Sequence, residues 1–360
     1  AVSFTEPDRR MSVIRPKPSE DPLLVAPAVL STVETARFEA VRAAVMGHEV
    51  VRGPERILAA YGASRTTSDL FDWLARARRV RESVDRVVFV AAGAAHHAMR
   101  LVFDTCCHPL HNDLDRGERG GRPRLFFTGE DFDGDAVSGL LDLVTCPSVA
   151  GRDDLLDRFG IIAVDDGDRE ASVGASMHLL EPALVGAARG EPGDRLVAVP
   201  AGGASPLGAE MLLPSAVVGI DVVRLLEGAV AMNLRFAEAA PATNPVAFAV
   251  RPAPHALGGC RVRCRESGRL AALAAWQDAI RGDLAALPGA DVEVAIGEPR
   301  RDPLVDPFGV PWHVRSTQGR EMAGIRLPRL DEHATGQLLQ MLAIATVVGR
   351  GLAATVPPEA

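Results

Sequence analysis

The stretch Arg86-Val-Val-Phe-Val-Ala-Ala-Gly-Ala-Ala-His-His97 decides how this chain folds. Its first half is an unbroken apolar run, β-branched and too short for a helix, with no polar face. Such a strand is covered on both sides, as in a parallel sheet whose crossover helices lie above and below it. The following Ala-Ala-Gly-Ala-Ala holds only small residues, which suit a tight turn from strand into helix, and a helical pattern continues over 98–107.

The same unit recurs downstream. Arg124-Leu-Phe-Phe-Thr128 leads through Asp133-Gly134 into a helical run at 136–143. Phe159-Gly-Ile-Ile-Ala-Val164 leads through an acidic loop into 171–186, and Arg195-Leu-Val-Ala-Val199 ends at Pro200-Ala-Gly-Gly-Ala204. Strands alternating with helices predict an α/β, doubly wound sheet with right-handed crossovers. Helical spacing also appears at 33–51, 68–84, 215–219, 222–239, 270–286 and 331–348, and strand candidates at 261–264 and 292–296. Residues 1–35, with four prolines before Pro27, read as an irregular N-terminal arm.

Composition narrows the function classes. Apolar residues make up 47% and charged residues 24%, the balance of a folded globular protein rather than a disordered one. Aromatics are only 4%, so Ala, Val and Leu must fill the core. The net charge of -8 comes from interspersed acids and bases, which argues against a nucleic-acid or anionic-membrane partner. No apolar run in the sequence reaches membrane-spanning length, and the charged, Pro-containing N-terminus does not resemble a signal peptide. Five scattered cysteines, an odd number, read as reduced thiols and a cytoplasmic location.

Ligands in a doubly wound sheet bind at the carboxyl ends of the strands, which gathers the loops at Gly93, Asp165 and Gly202-Gly203. The loop Asp165-Asp-Gly-Asp-Arg-Glu170 sets four carboxylates at a helix start, where they suit the helix dipole and repel a phosphate dianion. Its spacing is not that of a calcium loop. His96, His97, Cys106, Cys107, His108 and His111 form a tempting zinc cluster, but the spacing fits no zinc motif, and no metal or other cofactor is expected. Cys260 and Cys264 share one face of a presumed strand and read as core residues.

Several longer stretches resemble the glucose-6-phosphate isomerase family, its bacterial branch in particular. They are Cys107-His-Pro-Leu-His-Asn-Asp-Leu114 with Arg116-Gly-Glu-Arg-Gly-Gly-Arg-Pro-Arg124, then Leu212-Leu-Pro-Ser-Ala-Val-Val-Gly-Ile-Asp-Val222 with Leu225-Leu-Glu-Gly-Ala229. The last is Leu330-Asp-Glu-His-Ala-Thr-Gly-Gln-Leu338, with Gln340-Met-Leu and Ala345-Thr-Val-Val348. The resemblance implies two sugar-isomerase (SIS) subdomains, each a parallel sheet flanked by helices. Their expected spans are 36–230, with N-terminal helices, and a shortened 231–360. It also implies a homodimer, or a heterodimer with an authentic isomerase.

The family's functional motifs are degenerate in this chain. For Gly-Ile-Gly-Gly-Ser the sequence reads Ala91-Ala-Gly-Ala-Ala95, keeping Gly93 and replacing the serine by Ala95. For the Ser-Lys-x-x-x-Thr phosphate loop it reads Asp165, Asp166 and then Glu170. For Gly-Gly-Arg-Phe it keeps Gly202 and Gly203 and lacks the arginine that steadies the enediolate. The general-base glutamate falls near Asp283, in Trp276-Gln-Asp-Ala-Ile-Arg-Gly-Asp283, one methylene short and outside its motif. The stretch that should bring the ring-opening histidine is shortened to 297–314, where His313 stands alone.

Isomerisation needs a base, an enediolate stabiliser and a phosphate anchor, and all three are altered together. The expectation is therefore a glucose-6-phosphate isomerase-like protein without that activity, keeping its scaffold for binding or assembly. The alternatives are an enzyme acting on a different sugar-like substrate, or an active isomerase whose groups have moved.

Overall fold

The computed structural model describes residues 22–147, 154–165, 171–188, 191–202, 206–250, 260–263, 268–282, 290–298 and 324–354. The fold is α/β. Its first sheet joins β2 (Arg86–Val90), β3 (Arg124–Thr128), β4 (Phe159–Asp165) and β5 (Leu196–Pro200) in the order β3-β2-β4-β5. Every pair in it is parallel, with Val88 level with both Phe126 and Ile161.

The apolar runs that predicted these strands split by alternate residues between two cores. Val87 and Phe89 of β2, Ile162 and Val164 of β4, and Val197 and Val199 of β5 face the larger core. Val88 and Val90, with Phe159, Ile161 and Ala163, face the smaller one. The smaller core is closed by α5 (Gly134–Thr145), through Val144, and by α6 (Ala171–Ala188), through Val173, Met177, Leu180 and Leu184. On the larger face lie α3 (Asp69–Ser83), α4 (Gly93–Cys106) and α7 (Ala209–Val217).

The second sheet, beyond that larger core, contains β6 (Cys260–Arg263), β7 (Ala290–Glu298) and β8 (Ile325–Arg329), all parallel. β1 (Leu24–Val25) closes its edge antiparallel to β8. This corrects two expectations. The described part of the N-terminal arm is not irregular, because it supplies this strand and then α1 (Thr32–Val45), whose Ser31 and Glu34 form a reciprocal capping box. The second sheet is also not purely parallel.

The expected boundary at residue 230 falls inside a continuous helix, α8 (Val222–Glu238), which packs along α11 (Glu332–Ala354). Between them in the chain come α9 (Pro245–Ala249) and α10 (Ala272–Arg281), the latter packed on α4. Small residues set the spacing of α8 and α11. A Cβ on Gly228 would lie 2.0 Å from the His333 carbonyl oxygen, and one on Gly336 would lie 2.0 Å from that of Leu225. Against the expectation from sequence, one helix, α11, is long and apolar enough to cross a membrane, but it is mostly buried against these helices, so core packing accounts for its composition.

Two polar devices are built into this core. α2 (Glu49–Ala63) contains Pro54, which has no N–H to give the Val50 carbonyl one turn back. Gln340 of α11 donates to that carbonyl at 2.7 Å, and also to Asn233 at 2.7 Å. At the start of β2, the fully buried Asp85 accepts from Arg116 (2.8 Å), Arg119 (2.6 Å) and Arg124 (2.6 Å). These arginines tie 115–124 to the sheet, which gives that motif-rich segment a structural role.

Candidate functional site

The carboxyl ends of β2, β3, β4 and β5 lie along one edge of the first sheet, as parallel pairing requires. Gly93 is the first residue of α4 and has φ +57°, a left-handed backbone that would strain another residue by about 1–2 kcal/mol. Its N–H is one of the donors that a helix start leaves unsatisfied. Ala92, just before it, has no side chain able to cap the helix.

The missing cap comes from β3. Glu130, two residues beyond that strand, accepts the Gly93 N–H on Oε2 at 2.6 Å. Its Oε1 takes a hydrogen bond from His97 Nε2 at 2.9 Å. The loop that aims Glu130 is fixed from two sides. Gly129 has φ +102° and presses on β2, where a Cβ would stand 2.8 Å from the Ala91 carbonyl oxygen, and Ser172 Oγ donates to the Gly129 carbonyl at 2.7 Å. The helix N-terminus, which favours an anion, thus holds a carboxylate of the same chain.

His96 turns the other way. Its Nδ1 lies 3.2 Å from the Ala91 carbonyl, which assigns the proton to Nδ1. Burial pulls its pKa below the ordinary 6.5, with Glu130 opposing, so the ring favours the neutral form. Arg100, one turn further along α4, stacks over Phe127 and pairs with Asp104 rather than with the cleft.

At the other end of the sheet edge, Ala201 N–H donates to the Asp165 carbonyl at 2.8 Å, extending the β4–β5 pairing by one step. Asp165 and Gly202 are thereby brought to the same end of the sheet, with Asp165 exposed. Over Gly202 lies the carboxyl of Glu210, the second residue of α7, only 6% exposed. It accepts its own N–H and that of Gly202, while burial pushes its pKa up to about 7.

Of the residues singled out from sequence, Gly93, Ala95, Asp165 and Gly202 lie at these strand ends. Asp166, Gly203, Asp283, His313 and Cys264 lie outside the described residues. The His and Cys side chains around α4 do not converge: His97 turns to Glu130, His96 to Ala91, and His111 gives Nε2–H to the Pro123 carbonyl at 3.0 Å. Among the described residues no three His, Cys, Asp or Glu side chains come together as a metal site needs. Sequence reasoning missed Glu130 and Glu210. The signal for Glu210 was a lone acid in the apolar run 207–218; for Glu130 it was an acid two residues past a strand end.

No family model and no curated protein matches the sequence. Similarity appears in solved structures. A hypothetical protein from Thermus thermophilus aligns over 92% of this chain and 94% of its own, with TM-score 0.55 and 17% identity. A glucose-6-phosphate isomerase from Chlamydia trachomatis aligns over 88% of this chain and 81% of its own, with TM-score 0.56 and 12% identity. At such identities the likeness is one of fold: the chain has the helix-flanked parallel-sheet scaffold found in a sugar isomerase.

Proposed function

We propose that this protein is a glucose-6-phosphate isomerase-like chain that does not isomerise sugar phosphates and uses its scaffold for binding or assembly. The observation that carries this reading is the Glu130 carboxylate seated on the Gly93 N–H. A phosphate arriving at α4 would have to displace an anion tethered beside it, and would then face Asp165 across the strand ends. Two like charges at close range in a partly dry cleft oppose each other by several kcal/mol. The substituted positions Ala95, Asp165 and Asp166 remove a serine hydroxyl and a Ser-Lys pair where the resembling family holds phosphate.

The test is a coupled assay of fructose 6-phosphate conversion to glucose 6-phosphate by the full chain. No turnover above buffer is expected. Turnover near that of ordinary enzymes, abolished by D283A, would overturn the reading. Assembly as a homodimer, or as a heterodimer with a competent isomerase chain, belongs to the same proposal. Light scattering that finds only monomer at micromolar concentration, alone and mixed with such a chain, would remove it.

A further inference from the structure

Glu210 is the one ionisable residue in Leu207-Gly-Ala-Glu-Met-Leu-Leu-Pro-Ser-Ala-Val-Val218. Met211, Leu212, Leu213 and Val217 around it are fully or almost fully buried core residues. The carboxyl does not turn out to solvent. It folds back over the carboxyl end of β5 into a cradle of two glycines. A Cβ on Gly202 would stand 2.2 Å from its Oε2, and one on Gly208 would stand 2.3 Å from the same atom. Oε2 is buried and has no hydrogen-bond partner among the described residues. Only burial and two backbone N–H groups bear on its ionisation, with no charged side chain among the influences. A buried polar atom without a partner costs about 1–3 kcal/mol, so the arrangement is poor as pure packing.

We propose that Glu210 is a ligand-binding group of the strand-end site, and that the site takes an uncharged polyhydroxyl compound of the unphosphorylated-sugar class. The inference rests on the reading that the cleft refuses phosphate. A carboxylate such as that of Asp165, on β4 beside β5, accepts hydrogen bonds and cannot donate them. The hydroxyls of a polyol supply those donors, and charge-assisted O–H···O⁻ bonds are the strong kind. A polyol also offers lone pairs that need a donor. The protonated form of Glu210 provides one, with Gly202 and Gly208 leaving room for its carboxyl at the strand end.

The test uses the full chain with D-glucose and D-fructose as probes and inorganic phosphate as the control. Melting temperature and titration calorimetry are read near pH 6 and pH 8, either side of the Glu210 transition. Expected is binding of a hexose at the lower pH, weaker by tenfold or more at the higher, with none for phosphate. E210Q keeps a donor and so keeps binding while losing the pH dependence; E210A loses tenfold or more. If E210A does not fold, the ¹³C resonance of the Glu210 carboxyl is followed instead, and saturating hexose should move its titration midpoint.

Absence of hexose binding at either pH overturns the proposal, as does binding that E210A leaves intact or a midpoint that hexose leaves unmoved. Fructose 6-phosphate turnover would overturn the phosphate-refusing reading, and this inference with it. No turnover together with no hexose binding overturns this inference alone.

Discussion

Glu130 accepts the Gly93 N–H at 2.6 Å, so the first turn of α4 carries a carboxylate brought from the neighbouring strand. The same group holds His97 at 2.9 Å and thereby fixes which way that ring faces. If this is a cap, E130A should cost about 1–2 kcal/mol of stability, and E130Q, which keeps an acceptor, less. Urea unfolding measures both. Equal stability of E130A and the parent chain would show that the carboxylate does not cap the helix.

Glu210 predicts a pH dependence with a definite sign. Its folded pKa, about 7, lies above the ordinary 4.5, so the folded state holds the proton more tightly than the unfolded chain does. The stability it contributes is complete below about pH 4.5 and is lost as pH rises through about 7. The loss is on the order of 3 kcal/mol. His96 and His111 act in the opposite direction, because burial lowers their pKa values and acid must charge them. Comparing the parent with E210Q across pH isolates the glutamate: the parent should lose stability relative to E210Q over this window. A constant difference would contradict the assignment.

The α8–α11 contact admits no side chain at its closest points. A methyl group placed 2.0 Å from a carbonyl oxygen forces the helices apart, and both Gly228→Ala and Gly336→Ala do this. Each should cost about 3 kcal/mol or more, the range of severe overpacking. By contrast, Gly174→Ala in α6, where a Cβ meets nothing within 4 Å, should be neutral or slightly stabilising. Thermal melts of the three variants side by side decide the matter.

Asp85, itself without solvent exposure, compensates the buried Arg119 and the partly exposed Arg116 and Arg124. Asp85→Asn keeps the shape and removes the charge. Breaking a buried ion pair from one side costs about 3–5 kcal/mol. Denaturant titration should show a loss of that order, with early proteolysis between residues 115 and 124. An effect below about 1 kcal/mol would mean the arginines find other partners.

The parallel sheet was readable because its two central strands, β2 and β4, are apolar on both faces. Val87 to Val90 and Phe159 to Val164 have no polar alternate, and only a strand covered on both sides has that pattern. β8 was missed because Ile325-Arg-Leu-Pro-Arg329 alternates with arginines and contains a proline, both features of an exposed edge. β1 is two residues long, below any periodicity. The family-like strand-end positions were found because tight turns leave a local mark in Gly and Ala. Glu130 and Glu210 left only a faint one, an acid just past a strand and a lone acid in an apolar run, and nothing in either named their partners Gly93 and Gly202 in other segments. Periodicity records which face a residue shows to the core; it does not record which distant backbone donor a carboxylate will meet.

The edge strand β1 sets an order of events during synthesis. Leu23 N–H donates to Gln337 Oε1, a partner 314 residues later in the chain, and β1 lies beside β8 just upstream of it. At ordinary translation rates the amino-terminal strand waits roughly 15–60 s before its partner exists. Until then Leu23 has only its contacts with earlier segments, such as the Arg235 side chain that donates to its carbonyl. Afterwards, the open edge of β8 is exposed to any other chain until β1 arrives. A strand made well before its partner thus completes its pairing late, and a nascent chain held up in this interval offers a sticky edge to its neighbours on the same message.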